Sequence, residues 1–232
     1  MTPADAVFDG GSRAVLFDLD GTLVDTAPDM VAILRDLQKA RDMEPVHYAV
    51  ARNSVSNGAL GLIRLAFPHA DEKLAATLHA EYLERYSNRL CVDSVVFPHL
   101  PELLSAMDDA ARPWGVVTNK PERMTKPLMQ QLGLLQRAAC AVSGDTLETR
   151  KPDPAPLLHA SALIGVAPES CVFVGDAARD IEAGRNAGMA TIAVGYGYIT
   201  DDDSPDSWGA DRVVSETAEL ATLLAKAVNL ST

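Results

Sequence analysis

Short apolar runs alternate with longer helical stretches along most of the chain, and each run ends in a small or polar residue. β-Branched runs that alternate with helices are typical of a parallel sheet carrying helices on both faces. The pattern therefore predicts an α/β fold with a Rossmann-like parallel sheet as its core. The predicted strands cover residues 14–18, 114–119, 140–144, 171–176 and 191–197, and residues 211–214 are a candidate sixth strand.

One region interrupts this alternation, because residues 27–93 have apolar positions at three-to-four spacing and no strand-like run. We therefore expect an inserted α-helical cap at residues 27–93, within a core formed by residues 14–26 and 94–232. Residues 1–13 are expected to form a short disordered tail. An insertion just past a strand end is well placed to act as a lid. Examples of the helical spacing are Met30, Ile33, Leu34 and Leu37.

The chain is acidic, with 20 basic and 32 acidic residues and a formal net charge of −12. Such a surface repels nucleic acid and anionic lipid, so we expect neither nucleic acid nor a membrane as a partner. The same charge repels a phosphorylated substrate, which would need local positive charge at its site. The N-terminus lacks the apolar run of a secretory signal, which predicts a cytoplasmic location. Cys91, Cys140 and Cys171 form no CxxC pair and are expected to be reduced thiols.

The strongest chemical motif is FDLDGTLVDT at residues 17–26. Asp18 and Asp20 are two residues apart at a strand end, so both side chains point to the same side. Neighbouring carboxylates repel one another unless a cation or a shared proton stabilises them. A lone DxD more often forms a turn after a strand. The whole string, between a strand and a helix, favours a catalytic site.

Three other motifs also fall at the ends of predicted strands or at helix starts. Thr118 and Asn119 offer donors for a phosphate, and Lys151 offers a positive charge within KPDP. Asp176 and Asp180 lie in VFVGDAARD, where acidic residues are also ordinary helix-start residues. Each motif alone has a structural explanation. Because ligands of such sheets bind beyond the carboxyl ends of the strands, we expect these side chains to meet there.

The order DxD, Thr, Lys, GDxxxD is similar to the motif set of the haloacid dehalogenase superfamily, in its phosphatase branch. The resemblance covers the chain from Arg13 onward, including the cap. It implies that Asp18 is the nucleophile that becomes an aspartyl-phosphate and that Asp20 is the general acid/base. It implies that Thr118 and Lys151 bind the phosphate, beside the donors of Asn119. It also implies a Mg²⁺ site at Asp18, Asp20 (through a backbone carbonyl) and Asp176, supported by Asp180.

Other reactions of the same fold stay open at this point. A sugar-phosphate mutase shares the core motifs, and a dehalogenase needs no acid at Asp20. A phosphonate hydrolase uses a cap lysine, but Lys39 and Lys73 do not lie in obviously apolar settings. A non-catalytic phosphate-binding module is the alternative from a different class. The expected partner is a small-molecule phosphate ester, with the protein as a monomer or homodimer.

The cap is expected to select the substrate through residues 52–64, RNSVSNGALGLIR. This segment would equally fit a helix start with surface arginines. The stretches 114–124 and 195–211 resemble bacterial phosphoglycolate phosphatases and, more closely, N-acetylmuramic acid 6-phosphate phosphatases of cell-wall recycling. Both substrates carry a carboxylate. A small cap pocket would favour the first and a roomy one the sugar. The cap candidates are Arg52, Ser56, Asn57, Gly58 and Arg64.

Overall fold

The computed structural model describes residues 3–230 and contains a six-stranded sheet in which every neighbouring pair is parallel. The sheet order is β5-β4-β1-β6-β7-β8. All six predicted strands are confirmed. Most of them end before the last residue of the predicted run, because the final residues of the run lie outside the strand. The strands are β1 (Ala14–Phe17), β2 (Val24–Asp25), β3 (Val95–Val96), β4 (Trp114–Val117), β5 (Cys140–Val142), β6 (Cys171–Gly175), β7 (Ala190–Val194) and β8 (Arg212–Val214).

Helices cover both faces of the sheet, as the sequence pattern predicts. Along β1 the alternate residues Val15 and Phe17 join one apolar cluster, and Ala14 and Leu16 join the cluster on the other face. This alternation is the period-two geometry of a strand buried on both sides. The helices are α1 (Pro3–Ala6), α2 (Ala27–Lys39), α3 (Tyr48–Asn53), α4 (Gly58–Ala66), α5 (Glu72–Ser87), α6 (Leu100–Asp109), α7 (Glu122–Gln131), α8 (Ala155–Ile164), α9 (Ala178–Asn186) and α10 (Thr217–Ala227).

The segment from residue 27 to residue 93, called the cap below, carries α2 to α5 around an apolar cluster. Two core residues, Met124 and Tyr198, also belong to that cluster, so the cap packs directly against the core. The chain enters and leaves the cap through β2 and β3, which pair antiparallel. Asp29 of α2 accepts hydrogen bonds from the backbone of residues 92–94 and so ties the exit strand to the first cap helix.

The expectation of a disordered N-terminal tail is wrong for the part of it that the structure describes. The chain is helical over Pro3–Ala6 and Val7–Gly11, and the side chain of Phe8 is buried. Phe8 belongs to the apolar cluster that contains Leu220 and Leu224 of α10. The buried ring of Phe8, together with the ion pairs Asp5–Arg212 and Asp9–Lys226, therefore holds this segment against the core. Residues 1 and 2 lie outside the described residues.

Two further observations concern the chain as a whole. Across residues 3–230, no helix combines the length and apolar character needed to cross a bilayer. The three cysteines are free thiols, with Cys140 and Cys171 buried and Cys91 partly buried.

Candidate active site

Asp18 is the first residue after β1. In the sheet, β4 lies on one side of β1 and β6 lies on the other, so the sheet grows in opposite directions from this strand. Such a switch point leaves a crevice beyond the carboxyl ends of the strands. The backbone N–H of Asp18 donates to the carbonyl of Val174 at 2.9 Å. Its buried carboxylate accepts a hydrogen bond from Leu19 N at 2.8 Å. The nucleophile candidate is thus held rigidly by the central strands.

Lys151 lies beside Asp18 with its ammonium group almost completely buried. Its Nζ lies 3.0 Å from Asp18 Oδ1 and 2.8 Å from Asp180 Oδ1, and it donates to the carbonyl of Val117 at 2.7 Å. Burial lowers the pKa of Lys151, but the charges of Asp18 and Asp180 outweigh burial and leave that pKa raised. The lysine therefore stays charged next to the carboxylate of Asp18.

Three carboxylates form an oxygen cluster at the ends of β1 and β6. Asp18, Asp176 and Asp180 each offer one oxygen, and these oxygens lie within 4.8 Å of one another. Burial, and then the charges of Asp18 and Asp180, raise the pKa of Asp176 to about 7. A buried set of carboxylate oxygens that destabilise one another matches the donor preference of a hard divalent cation such as Mg²⁺. These residues therefore fit a magnesium ion.

Asp176 and Asp180 are positioned by the turn that follows β6. Asp176 accepts hydrogen bonds from Thr22 Oγ1, Tyr198 N and the cap hydroxyl of Ser56, at 3.3, 2.9 and 2.8 Å. Asp180 accepts one from Ala177 N at 3.1 Å, in the manner of a helix capping box at the start of α9. The sequence expectation put Asp180 in support of the metal site, and the structure groups its carboxylate with those of Asp18 and Asp176.

The side chain of Asp20 is directed away from this cluster. Its Oδ1 accepts hydrogen bonds from Thr26 Oγ1 at 2.6 Å and from Lys120 Nζ at 2.9 Å. The sharp turn after Asp20 requires Gly21, which has a φ of 82° and whose missing Cβ would lie 2.2 Å from Asp176 Oδ2. A glycine here lets the DxD loop and Asp176 approach one another closely.

Thr118 and Asn119 follow β4 and lie beside Asp18 in one cavity. The hydroxyl of Thr118 accepts a hydrogen bond from Lys120 N at 3.2 Å, which leaves its own proton for a ligand. The Asn119 side-chain amide instead donates to the carbonyl of Lys151 at 2.9 Å. Asn119 therefore also holds the backbone of the phosphate-binding lysine candidate in place.

A cavity of about 110 Å³ separates the cap from the core at this edge of the sheet. The cap side is mainly apolar, and the core side carries charges of both signs. Among the cap candidates, Ser56 and Gly58 line the cavity. The core residues that line it include Asp18, Asp20, Thr118, Asn119, Lys120 and Arg179.

The other three cap candidates do not face the cavity. Arg52 donates to the carbonyls of Gly197 and Tyr196 at 3.0 and 3.1 Å, so its guanidinium fastens the cap to a core loop. Asn57 and Arg64 are exposed and do not line the cavity.

Sequence reasoning missed two cations of the cavity, Lys120 and Arg179, and the cap residue Tyr86. Both cations adjoin residues already singled out, since Lys120 follows Asn119 and Arg179 precedes Asp180 within VFVGDAARD. The acidic composition signalled that local positive charge was needed. Tyr86 had no comparable signal beyond its place one helical turn after the apolar Tyr82.

A family model described as haloacid dehalogenase-like hydrolase matches residues 15–194. An N-acetylmuramic acid 6-phosphate phosphatase of Pseudomonas aeruginosa is 44% identical over 93% of this chain and 96% of its own length. A phosphoglycolate phosphatase of Xanthomonas campestris pv. campestris is 44% identical over 90% of this chain and 94% of its own. The crystal structure of a predicted phosphoglycolate phosphatase from Haemophilus somnus has a TM-score of 0.81 at 25% identity, covering 92% of this chain and 98% of that one. The similarity therefore extends through the cap as well as the sheet.

Proposed function

Because the chain belongs to the haloacid dehalogenase-like hydrolase family, we propose that it is a Mg²⁺-dependent phosphatase that hydrolyses a small phosphate ester through a phosphorylated Asp18. The observation that carries the proposal is the buried grouping of Asp18 with Lys151 and two further carboxylates at the switch point of the sheet. Relatives at 44% identity that are named as phosphatases support the same reaction class.

In the first step, a carboxylate oxygen of Asp18 forms a bond to phosphorus while the ester bond from phosphorus to the leaving oxygen breaks. Asp20 gives its proton to that leaving oxygen. In the second step, a water oxygen attacks the aspartyl-phosphate, its proton passes to Asp20, and the bond to Asp18 breaks. Inorganic phosphate leaves, and both aspartates return to their starting states.

The cations of the site have to balance the negative charge of nucleophile and phosphate. Lys151 stays charged beside Asp18 and can bind a phosphate oxygen, with the hydroxyl of Thr118 as a further donor. Asp18 and Asp176 would hold Mg²⁺ together with a backbone carbonyl at Asp20, and Asp180 would orient or join them. Bound Mg²⁺ would supply the charge that offsets repulsion between the phosphate and the carboxylates.

For the substrate we propose a phosphate ester that also carries a carboxylate, either N-acetylmuramic acid 6-phosphate or phosphoglycolate. Relatives named for each of these two substrates are 44% identical to the chain, over 93% and 90% of its length respectively. The cavity of about 110 Å³ favours the smaller ester while the cap is in this position. The sugar would require the cap to move outward about the β2–β3 linkers.

The test is phosphate release from both esters with Mg²⁺ and with a chelator. We expect turnover that needs the metal and that falls on the order of 10³-fold or more in Asp18→Asn. Borohydride reduction of enzyme quenched during turnover should convert Asp18 to homoserine, detectable by peptide mass spectrometry. Unimpaired turnover by Asp18→Asn would refute the mechanism.

A further inference from the structure

Two neighbouring hydrogen-bond donors line the cavity beside Asp20, one from the core and one from the cap. They are the ammonium of Lys120, just after β4, and the hydroxyl of Tyr86, near the end of α5. We infer that these two groups bind a carboxylate on the leaving group of the substrate and so select phosphate esters of carboxylic acids. The inference rests on the proposed function and assigns its specificity to named residues.

Both groups have a donor to spare. The ammonium of Lys120 has three N–H bonds but, among residues 3–230, only two acceptors, Asp20 Oδ1 and Tyr86 Oη, each at 2.9 Å. The hydroxyl of Tyr86 accepts that hydrogen bond, and its own proton has no acceptor within residues 3–230. An N–H and an O–H on atoms 2.9 Å apart suit the two oxygens of one carboxylate.

Both groups also carry a proton to donate. The ammonium of Lys120 has three N–H bonds, and its Nζ lies 2.9 Å from Asp20 Oδ1. Burial raises the pKa of Tyr86 to about 12, so the hydroxyl keeps its proton at neutral pH. A charged donor in a site shielded from water binds an anion more strongly than a neutral donor does.

The pair lies on the leaving-group side of the site. Asp20 gives its proton to the leaving oxygen, so the rest of the leaving group must lie next to Asp20 and beneath the cap. Lys120 contacts Asp20 directly, and Tyr86 belongs to the cap helix above it. A carboxylate one or a few bonds from the leaving oxygen would therefore meet this pair.

The other cations near the site are less suitable for this task. Lys151 already has three partners for its three N–H bonds. Arg52 binds core carbonyls, and Arg64 is exposed outside the cavity. Arg179 lines the cavity from the first turn of α9, next in sequence to Asp180, whose carboxylate belongs to the oxygen cluster rather than to the surroundings of Asp20.

The experiment compares esters that differ in a carboxylate: phosphoglycolate against ethyl phosphate, and N-acetylmuramic acid 6-phosphate against N-acetylglucosamine 6-phosphate. The readout is the ratio of kcat/KM within each pair. Lys120→Met should lower that ratio about 10- to 100-fold, and Lys120→Arg should retain part of it. Tyr86→Phe, a smaller change to the fold, should lower it about 3- to 10-fold.

Lys126→Met is the matched control, because Lys126 is an exposed lysine of the neighbouring helix α7 whose ion-pair partner is Glu122. Its ratio should equal that of the wild type. Equal loss on both members of a pair in Lys120→Met and Tyr86→Phe would mean that the two residues only support Asp20, and would overturn the inference alone. If the wild type hydrolysed none of the four esters, the proposed function would fail together with the inference.

Discussion

Replacing Asp176 with asparagine should stabilise the metal-free protein while abolishing its activity. The buried carboxylate has a pKa of about 7, raised by burial and by Asp18 and Asp180 from an ordinary value of 3.8. Below pH 3.8 the group is protonated in the folded and unfolded states alike. Between pH 3.8 and 7 the unfolded state gives up the proton first, so the stability of the wild type falls as pH rises. Above pH 7 this contribution no longer changes.

The slope of this effect approaches about 1.4 kcal/mol per pH unit for one proton. From pH 5 to pH 7 the Asp176→Asn protein should therefore gain about 2 kcal/mol over the wild type, because asparagine never has to ionise and the slope declines as the pH approaches 7. The amide can keep the existing contacts, since its oxygen can accept from Tyr198 N and its nitrogen can donate to the hydroxyl of Thr22.

Urea unfolding in a chelating buffer at pH 5, 6, 7 and 8 measures this difference directly. Saturating Mg²⁺ should stabilise the wild type much more than the variant and so reverse their order, because binding to the folded state alone raises stability. If the difference in unfolding free energy between the two proteins stays constant from pH 5 to pH 7, the folded protein does not raise the pKa of Asp176. That result would refute the argument that these carboxylates destabilise one another when no cation is bound.

Three further changes test how the surrounding structure holds the site. Arg52→Gln removes two hydrogen bonds between the cap and the core, so kcat/KM should fall about 10-fold with little change in the urea midpoint. An unchanged kcat/KM would mean that cap closure does not depend on these two hydrogen bonds. Gly144→Ala places a Cβ 2.1 Å from the carbonyl oxygen of Asn119, so it should cost about 1–3 kcal/mol in urea unfolding and lower kcat; normal kcat would show that the loop after β4 can yield. Phe8→Ala should cost about 3 kcal/mol in urea unfolding without changing kcat, and a loss below about 1 kcal/mol would contradict the anchoring of the N-terminal segment.

The sheet was predictable because each of its strands is encoded by a short run of consecutive residues. A buried parallel strand is a short apolar run, and the polar residue that ends the run marks the carboxyl edge. Asp18, Thr118 and Asp176 each follow such a run, so their meeting in space follows from the parallel order of β1, β4 and β6. Lys151 joins them from a loop, and only the motif order pointed to it.

The remaining parts of the site depend on how the cap packs against the core. The spacing of residues in the sequence carries no information about that packing. Arg52 and Arg64 look alike in the sequence, yet one reaches the core carbonyls and the other points into solvent. Long flexible side chains are placed by whatever packs against them, so the direction of Lys120 was equally open. The docked N-terminal segment was missed because one buried ring, that of Phe8, has no periodicity to detect.

Two hydrogen bonds join the cap to the proposed active site, and they lie at opposite ends of the proposed substrate position. Ser56 donates to Asp176 on the side of the proposed metal, and Tyr86 accepts from Lys120 on the side of the leaving group. Moving the cap outward would break both contacts together, leaving Lys120 with Asp20 alone. Lys120 and Arg179 line the cavity beneath the cap, and there a lower dielectric strengthens the attraction of their charges for an anion. Closure and recognition of a doubly anionic ester are therefore expected to be a single event.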